Sequence, residues 1–186
     1  MKAMILAAGY GKRMMPLTEN LPKPLLKVGN ESLIERNINA LLAAGFNDII
    51  INVSYLGSMI KKHVLEIFPN TNISFSEEEI PLGTGGGVLN AIGLLGTDPF
   101  LLINADIYHQ INLKDINQDV DIAHLIGVEN PDHNVNGDFS LNAGAVYIGN
   151  NLNECTWSGI SIINPIIIGG LNIPDTPFDT YNPTLL

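Results

Sequence analysis

The chain has 186 residues, 46% of them hydrophobic and 15% charged, with a net charge of −10. That length suits one domain with a substantial core, and that composition excludes a disordered polymer. An acidic balance of this size argues against nucleic acid as a partner, because a phosphate backbone needs a basic footprint.

Taken in chain order, Met1–Ala8 carries a lysine and a short apolar stretch. The stretch ends at Gly9 and is followed by Lys12 and Arg13, which does not suit a signal peptide. Met4–Ala8 reads as a buried strand feeding a loop. Gly9 to Pro24 is rich in Gly, Pro and basic residues without periodicity, and is expected to be a long, ordered, functional loop. Ser32 is placed to cap a helix in which Leu33, Ile34, Ile38, Leu41 and Leu42 recur at helical spacing, with Gly45 as its stop. A strand over Asp48–Val53, a helix over Gly57–Phe68, a strand over Asn72–Ser76, a helix over Gly85–Leu95 and a strand over Phe100–Ile103 follow. This alternation predicts an α/β fold with a doubly wound, mostly parallel sheet and right-handed crossovers. Asp121–Val128, Phe139–Ile148 and Thr156–Ile163 read as longer strands separated only by loops, and are expected to extend the sheet with an antiparallel section. With no linker, repeat or low-complexity segment, residues 1–186 are read as a single domain.

No run approaches the ~20 apolar residues of a bilayer span. The Ile-rich stretch around Ile166 is broken by Pro165 and by Gly169–Gly170, so no membrane association is expected. The single cysteine, Cys155, cannot form an internal disulfide, and a reducing, cytoplasmic location is the simpler expectation. Five of nine basic residues (Lys2, Lys12, Arg13, Lys23 and Lys27) precede Val28, opposed there only by Glu19. A small basic focus on an acidic chain suits a compact polyanion such as a triphosphate, although charge alone leaves a chance cluster of solvated lysines equally open. His63, His109, His124 and His133 lack ligand spacing, so a zinc cluster is not expected.

Four groups of residues carry the chemistry. In Leu6-Ala7-Ala8-Gly9-Tyr10-Gly11-Lys12-Arg13, small residues after a strand let backbone N–H groups approach phosphate oxygens, and Lys12 or Arg13 adds a full charge. Gly-x-Gly after a strand is common, and a purely structural loop is the competing reading. In Pro22-Lys23-Pro24, two prolines stiffen the loop that presents an ammonium, as stabilisation of growing phosphate charge requires. Glu78, ahead of Leu82-Gly83-Thr84-Gly85-Gly86-Gly87, could accept from a base N–H of uracil or guanine. The alternative is that Glu77, Glu78 and Glu79 form a solvated acidic run. Asp106 closes the fourth strand, at the edge where open α/β sheets bind ligands. It is placed either to hold Mg²⁺ on phosphate oxygens or simply to cap a loop.

Together these segments resemble the sugar-1-phosphate nucleotidyltransferases. The likeness runs through Met1–Gly9, Gly11-Lys12-Arg13-Met14, Pro16-Leu17-Thr18 and Pro22-Lys23-Pro24-Leu25-Leu26. It continues through Thr84-Gly85-Gly86-Gly87, Phe100–Asp106, Asn130-Pro131, Gly137-Asp138-Phe139 and Ser158-Gly159-Ile160. Within that family, the Ala-Ala-Gly opening, the Thr-Gly-Gly-Gly turn and the Trp-Ser-Gly-Ile segment resemble the branch that uridylylates N-acetylmuramate 1-phosphate in peptidoglycan recycling.

The resemblance implies attack of a sugar phosphate on the α-phosphorus of UTP with release of pyrophosphate. Arg13 would hold the pyrophosphate, Lys23 would neutralise charge near the α-phosphate, and Asp106 would ligate Mg²⁺. Leu6, Ala7, Ala8, Gly9, Gly11, Glu78, Gly83 and Thr84 would form the nucleotide pocket, with Asp138, Asn142, Ser158 and Gly159 on the sugar side. Other hexose or heptose phosphates with GTP or dTTP are the alternative pairs. The sequence departs from the family pattern in having Ala105 where glycine commonly precedes the aspartate. It also ends at Leu186, with neither Asp175 nor Asp179 in the context of the family's second metal-binding aspartate. Weaker metal affinity is expected, and with it either association as a homo-oligomer or poor stability through exposed apolar surface. A nucleotide-binding module without catalysis is the competing class.

Overall fold

The structure, a computed structural model, describes residues 1–116, 119–148 and 152–168. Asp175 and Asp179 lie outside the described residues. The chain opens with β1 (Ala3–Leu6), which gives way after Leu6 to two 3-10 turns, Lys12–Met14 and Lys23–Leu25. Ala7 and Ala8, expected inside the strand, instead begin the loop, because the Ala7 amide is bonded to a side chain. A two-residue ribbon, β2 (Lys27–Val28) and β3 (Glu31–Ser32), leads into α1 (Leu33–Ala43). Ser32 caps this helix as expected: its Oγ accepts from the Glu35 N–H while the Glu35 carboxylate accepts from the Ser32 N–H, a reciprocal capping box. At the other end Gly45 takes φ +91°. The Gly45 N–H then reaches Leu42 O and the Phe46 N–H reaches Leu41 O, which satisfies carbonyls the helix would otherwise strand.

β4 (Asp48–Val53), α2 (Gly57–Ile67) and β5 (Asn72–Glu77) follow the expected alternation. The next helix begins earlier than expected and breaks at Ala91 into α3 (Gly83–Asn90) and α4 (Ile92–Leu95). The Ala91 N–H is shared between the Gly87 and Val88 carbonyls, so the helix tightens there. After β6 (Phe100–Asn104) come β7 (Ala123–Glu129), β8 (Ser140–Asn142), β9 (Ala145–Tyr147) and β10 (Cys155–Ile163). The segment read as one strand over Phe139–Ile148 is therefore a hairpin of β8 and β9. Ala143 and Gly144 both have positive φ, 49° and 83°, the two-residue turn whose twist matches paired strands.

The six-stranded sheet runs β5-β4-β1-β6-β10-β7. The β5-β4-β1-β6 section is parallel, and β10 joins β6 and β7 antiparallel. Alternate residues of β1 face opposite layers. Ala3 and Ile5 pack with Ile34, Ile38 and Leu41 of α1 and with Ile60 and Val64 of α2. Met4 packs with Val88, Ala91 and Leu95 of the α3–α4 unit. Because both faces are covered, the central strands are nearly continuous apolar runs. The chain leaves β1 toward β4 on one side and reaches β6 on the other, so their carboxyl ends flank a topological switch point.

Candidate active site

A cleft of ≈ 210 Å³ opens at the carboxyl ends of β1, β4 and β6. One wall is the start of the glycine loop, Leu6, Ala7, Ala8 and Gly9; the opposite rim is Pro81, Gly83 and Thr84; Lys23, Pro24, Asn52, Asn104 and Asp106 complete the lining. Of the nucleotide-site expectations, Leu6, Ala7, Ala8, Gly9, Gly83 and Thr84 are thus brought together with Lys23 and Asp106. The remaining expected residues are not on the lining.

Glu78 lies behind the wall. Its side chain is buried, with Oε1 accepting from Asn52 Nδ2 at 2.6 Å and Oε2 accepting from the Leu82 N–H at 2.8 Å. Asn52 in turn accepts the Ala7 N–H at 2.7 Å. One chain of bonds therefore fixes both rims, from the glycine loop through β4 and the end of β5 to the start of α3. Burial pushes the Glu78 carboxyl above its ordinary range, against the opposing pull of the bonds from Leu82 and Asn52. Close approach of α3 makes this possible. A Cβ on Gly87 would stand 2.6 Å from Asn52 Nδ2 and 2.9 Å from Glu78 Oε1.

The cationic side is built on the loop after β1. Gly11 has φ +64°, and a Cβ there would meet Thr18 and the Lys23 Cβ at 3.1–3.2 Å. Thr18 is buried and its hydroxyl donates to Gly11 O at 2.8 Å, which folds the loop against the Lys23 segment. The Lys23 ammonium forms an ion pair with Asp106 Oδ2, both side chains remaining partly exposed. Arg13 sits exposed on the Lys12–Met14 turn, away from the lining. Neighbouring Lys12 lies 5.1 Å from the centre of the Tyr10 ring. Ala105 keeps a negative φ, so the alanine before Asp106 is accommodated without strain.

The expected sugar-side residues separate. Asp138 is committed to internal bonds: Oδ1 accepts from Asn134 Nδ2 at 3.0 Å and Oδ2 from the Trp157 N–H at 2.8 Å. Ser158 Oγ accepts from the Ile160 N–H at 3.2 Å. Gly159, at φ +85°, passes so near the cleft that a Cβ would stand 2.9 Å from Asn104 Nδ2. Its position coincides with the break in the β10–β7 register between Trp157 and Ser161. Asn142 is exposed at the tip of the β8–β9 hairpin and does not line the cleft.

Asn52 and Pro81 line the cleft from outside the expected motifs, beside Pro24 and Asn104, which belong to them. Asn52 had a usable signal, being a polar residue inside an otherwise isoleucine-rich buried strand. Among the described residues no three His, Cys, Asp or Glu side chains gather into a metal cage. Among the described residues that line the cleft, one carries a carboxylate, Asp106. This donor set fits Mg²⁺ carried mainly by phosphate oxygens, since that ion usually takes only one or two protein carboxylates. No helix among the described residues is long and apolar enough to cross a membrane.

Residues 2–125 match the family model described as nucleotidyl transferase. The chain is 41% identical to an N-acetylmuramate alpha-1-phosphate uridylyltransferase of Neisseria meningitidis serogroup B, over 92% of this chain and 78% of that protein. It is 31% identical to a mannose-1-phosphate guanyltransferase of Aspergillus oryzae, over 96% of this chain but only 54% of the relative's length. Among solved structures, HddC from Yersinia pseudotuberculosis in complex with GMP-PN superposes with a TM-score of 0.73 at 27% identity. That match covers 96% of this chain and 83% of that one.

Proposed function

This chain belongs to the nucleotidyl transferase family, whose relatives here act on sugar 1-phosphates, and on that footing we propose that it joins N-acetylmuramate 1-phosphate to UTP with release of pyrophosphate. The observation that carries the reaction class is the convergence of Lys23 and Asp106 on a cleft walled by the Ala7–Gly9 backbone and the Gly83–Thr84 rim. The choice of uridylyl transfer to a muramyl phosphate is supported by the identity to the Neisseria enzyme.

In this reading a sugar phosphate oxygen attacks the α-phosphorus of UTP in line, and pyrophosphate departs. No protein nucleophile is required, so the residues act by positioning and electrostatics. The small side chains from Leu6 to Gly9, with Gly83 and Thr84, would admit the nucleotide against bare backbone. Gly11 would act by folding the loop under Lys23. Lys23 would exchange its bond to Asp106 for phosphate oxygens and neutralise charge near the α-phosphorus. Exposed Arg13 is assigned to the departing pyrophosphate, a role an unburied guanidinium suits. Asp106 would hold Mg²⁺, which when bound supplies charge neutralisation on the phosphate oxygens. Glu78 would act on the base through the two rims it clamps. Gly159, packed against Asn104, and the neighbouring Ser158 would serve the sugar side, while Asp138 would shape that side through the Trp157 backbone.

Pyrophosphate release from UTP and Mg²⁺ tests the proposal, with N-acetylmuramate, glucose and N-acetylglucosamine 1-phosphates as acceptors and Lys23→Ala as control. Release confined to the muramyl acceptor, and reduced at least about 100-fold in the variant, is expected. Equal release with another sugar phosphate would reject the muramyl assignment. A second reading, guanylyl transfer, is favoured by the guanyltransferase relatives and the GMP-PN complex of HddC, and GTP in the same assay separates the two.

A further inference from the structure

Asn37 is completely buried in the middle of α1, a costly place for an amide. Its Nδ2 lies among three backbone carbonyls, Asn104 O at 3.4 Å, Ala105 O at 3.2 Å and Ile107 O at 3.4 Å. These bracket Asp106 on both sides. The amide orientation follows from its neighbours, since an oxygen in that place would face three acceptors and no donor. Its Oδ1 is buried without a hydrogen-bond partner, so an apolar residue of similar shape would relieve that strain on the core. What the asparagine offers in return is its donor end, directed at the turn. Without it, three carbonyls facing α1 would lack that donor, and the turn would rotate toward water to satisfy them.

The same helix also anchors the opposite charge. The Leu33 N–H donates to Leu26 O, and Leu25, next to the Lys23-Pro24 segment, packs in the cluster that contains Ile34 and Ile38. From this geometry we infer that Asn37 is a positioning residue: it fixes the backbone of the Asp106 turn on α1, in register with Lys23, so that the carboxylate meets the metal ion. This rests on the reading of Asp106 as the metal ligand.

The test uses Mn²⁺ as a spectroscopic probe, with free Mn²⁺ measured by paramagnetic resonance in the presence of UTP, on the full chain. The variants are Asn37→Leu, Asn37→Ser, Asp106→Asn and, as a packing control in the same helix, Ile38→Val. Asn37→Leu should weaken Mn²⁺ binding about 10-fold or more, in the range typical of residues that orient a ligand. Asn37→Ser, which keeps a donor and leaves room for a water to complete the bridge, should fall between it and wild type. Ile38→Val should match wild type. If Asn37→Leu does not fold, the serine variant carries the test. Mn²⁺ affinity unchanged in both Asn37 variants but lost in Asp106→Asn would overturn the positioning role and leave the metal role of Asp106 standing. Unchanged affinity in Asp106→Asn would remove the metal reading itself, and with it this inference.

Discussion

Glu78 shows how one side chain can be singled out by its chemistry and yet be bonded in a way its sequence pattern does not report. An acidic residue ahead of a glycine-rich turn suggested a direct partner for a base N–H. Folding instead buries it and engages both oxygens, one by Asn52 and one by the Leu82 amide. The pattern of residues cannot report this, because the bonds depend on β4 and α3 arriving from elsewhere in the chain. The arrangement carries a pH signature. Desolvation raises the folded pKa above the unfolded one, so the folded chain binds more protons across that interval. The stability contribution of Glu78 is therefore fully present below the unfolded carboxylate pKa and is lost as pH rises through the elevated folded value. Glu78→Gln does not titrate. Its melting temperature relative to wild type should shift in the variant's favour as pH climbs from the carboxylate range to neutrality. A difference that stays flat with pH would show that burial does not perturb this carboxyl. Asn52 was legible only as an oddity, one amide within an apolar strand. Its role as the link between Ala7 and Glu78 required the parallel pairing of β1 with β4.

At the level of elements, the run Gly83-Thr84-Gly85-Gly86-Gly87 illustrates that equal residues need not have equal purposes. Gly87 faces Asn52 and Glu78 with no room for a methyl group, whereas Gly85 has nothing within 4 Å of a built Cβ. Gly87→Ala should destabilise the chain by about 1–3 kcal/mol, because neither neighbour can retreat without breaking a buried bond. Gly85→Ala should stabilise it by up to about 1 kcal/mol through helix propensity alone. Urea midpoints of the two variants read this directly, and a similar loss in both would show that α3 senses backbone entropy and not the Asn52–Glu78 contact. The cap at Ser32 supports a third expectation. Ser32→Ala removes the acceptor for the Glu35 N–H and should cost about 1 kcal/mol by the same measurement. The boundaries of α1 and β4 were readable because their signals are local, a serine cap, a Gly45 stop and an isoleucine-rich run. The β8–β9 hairpin was missed because its turn lacks the usual Asn-Gly or Asp-Gly pair, with Ala143 taking the first left-handed position.

Across the whole molecule, the alternation of apolar strands and helices was sufficient to indicate a doubly wound parallel sheet, since few other topologies bury both faces of such strands. The placement of β10 between β6 and β7 was not readable, because period-2 patterning reports burial and not which strand lies alongside. That topology has a consequence for ligand binding. The cleft is assembled from the loop after β1, the Lys23 segment, β4, the start of α3 and the turn after β6. No stretch of unfolded chain can reproduce it, so a nucleotide that fits binds only the folded state and its affinity appears as global stability. At 100 times its dissociation constant such a ligand adds about 2.7 kcal/mol, which for a chain of this length raises the melting temperature by about 5–10 °C. UTP with Mg²⁺ should produce that shift, GTP at the same concentration a smaller one, and Lys23→Ala should reduce both. A larger shift with GTP would transfer the assignment to guanylyl transfer while leaving the cleft intact. Equal shifts for both triphosphates, undiminished in Lys23→Ala, would mean that binding occurs away from this cleft.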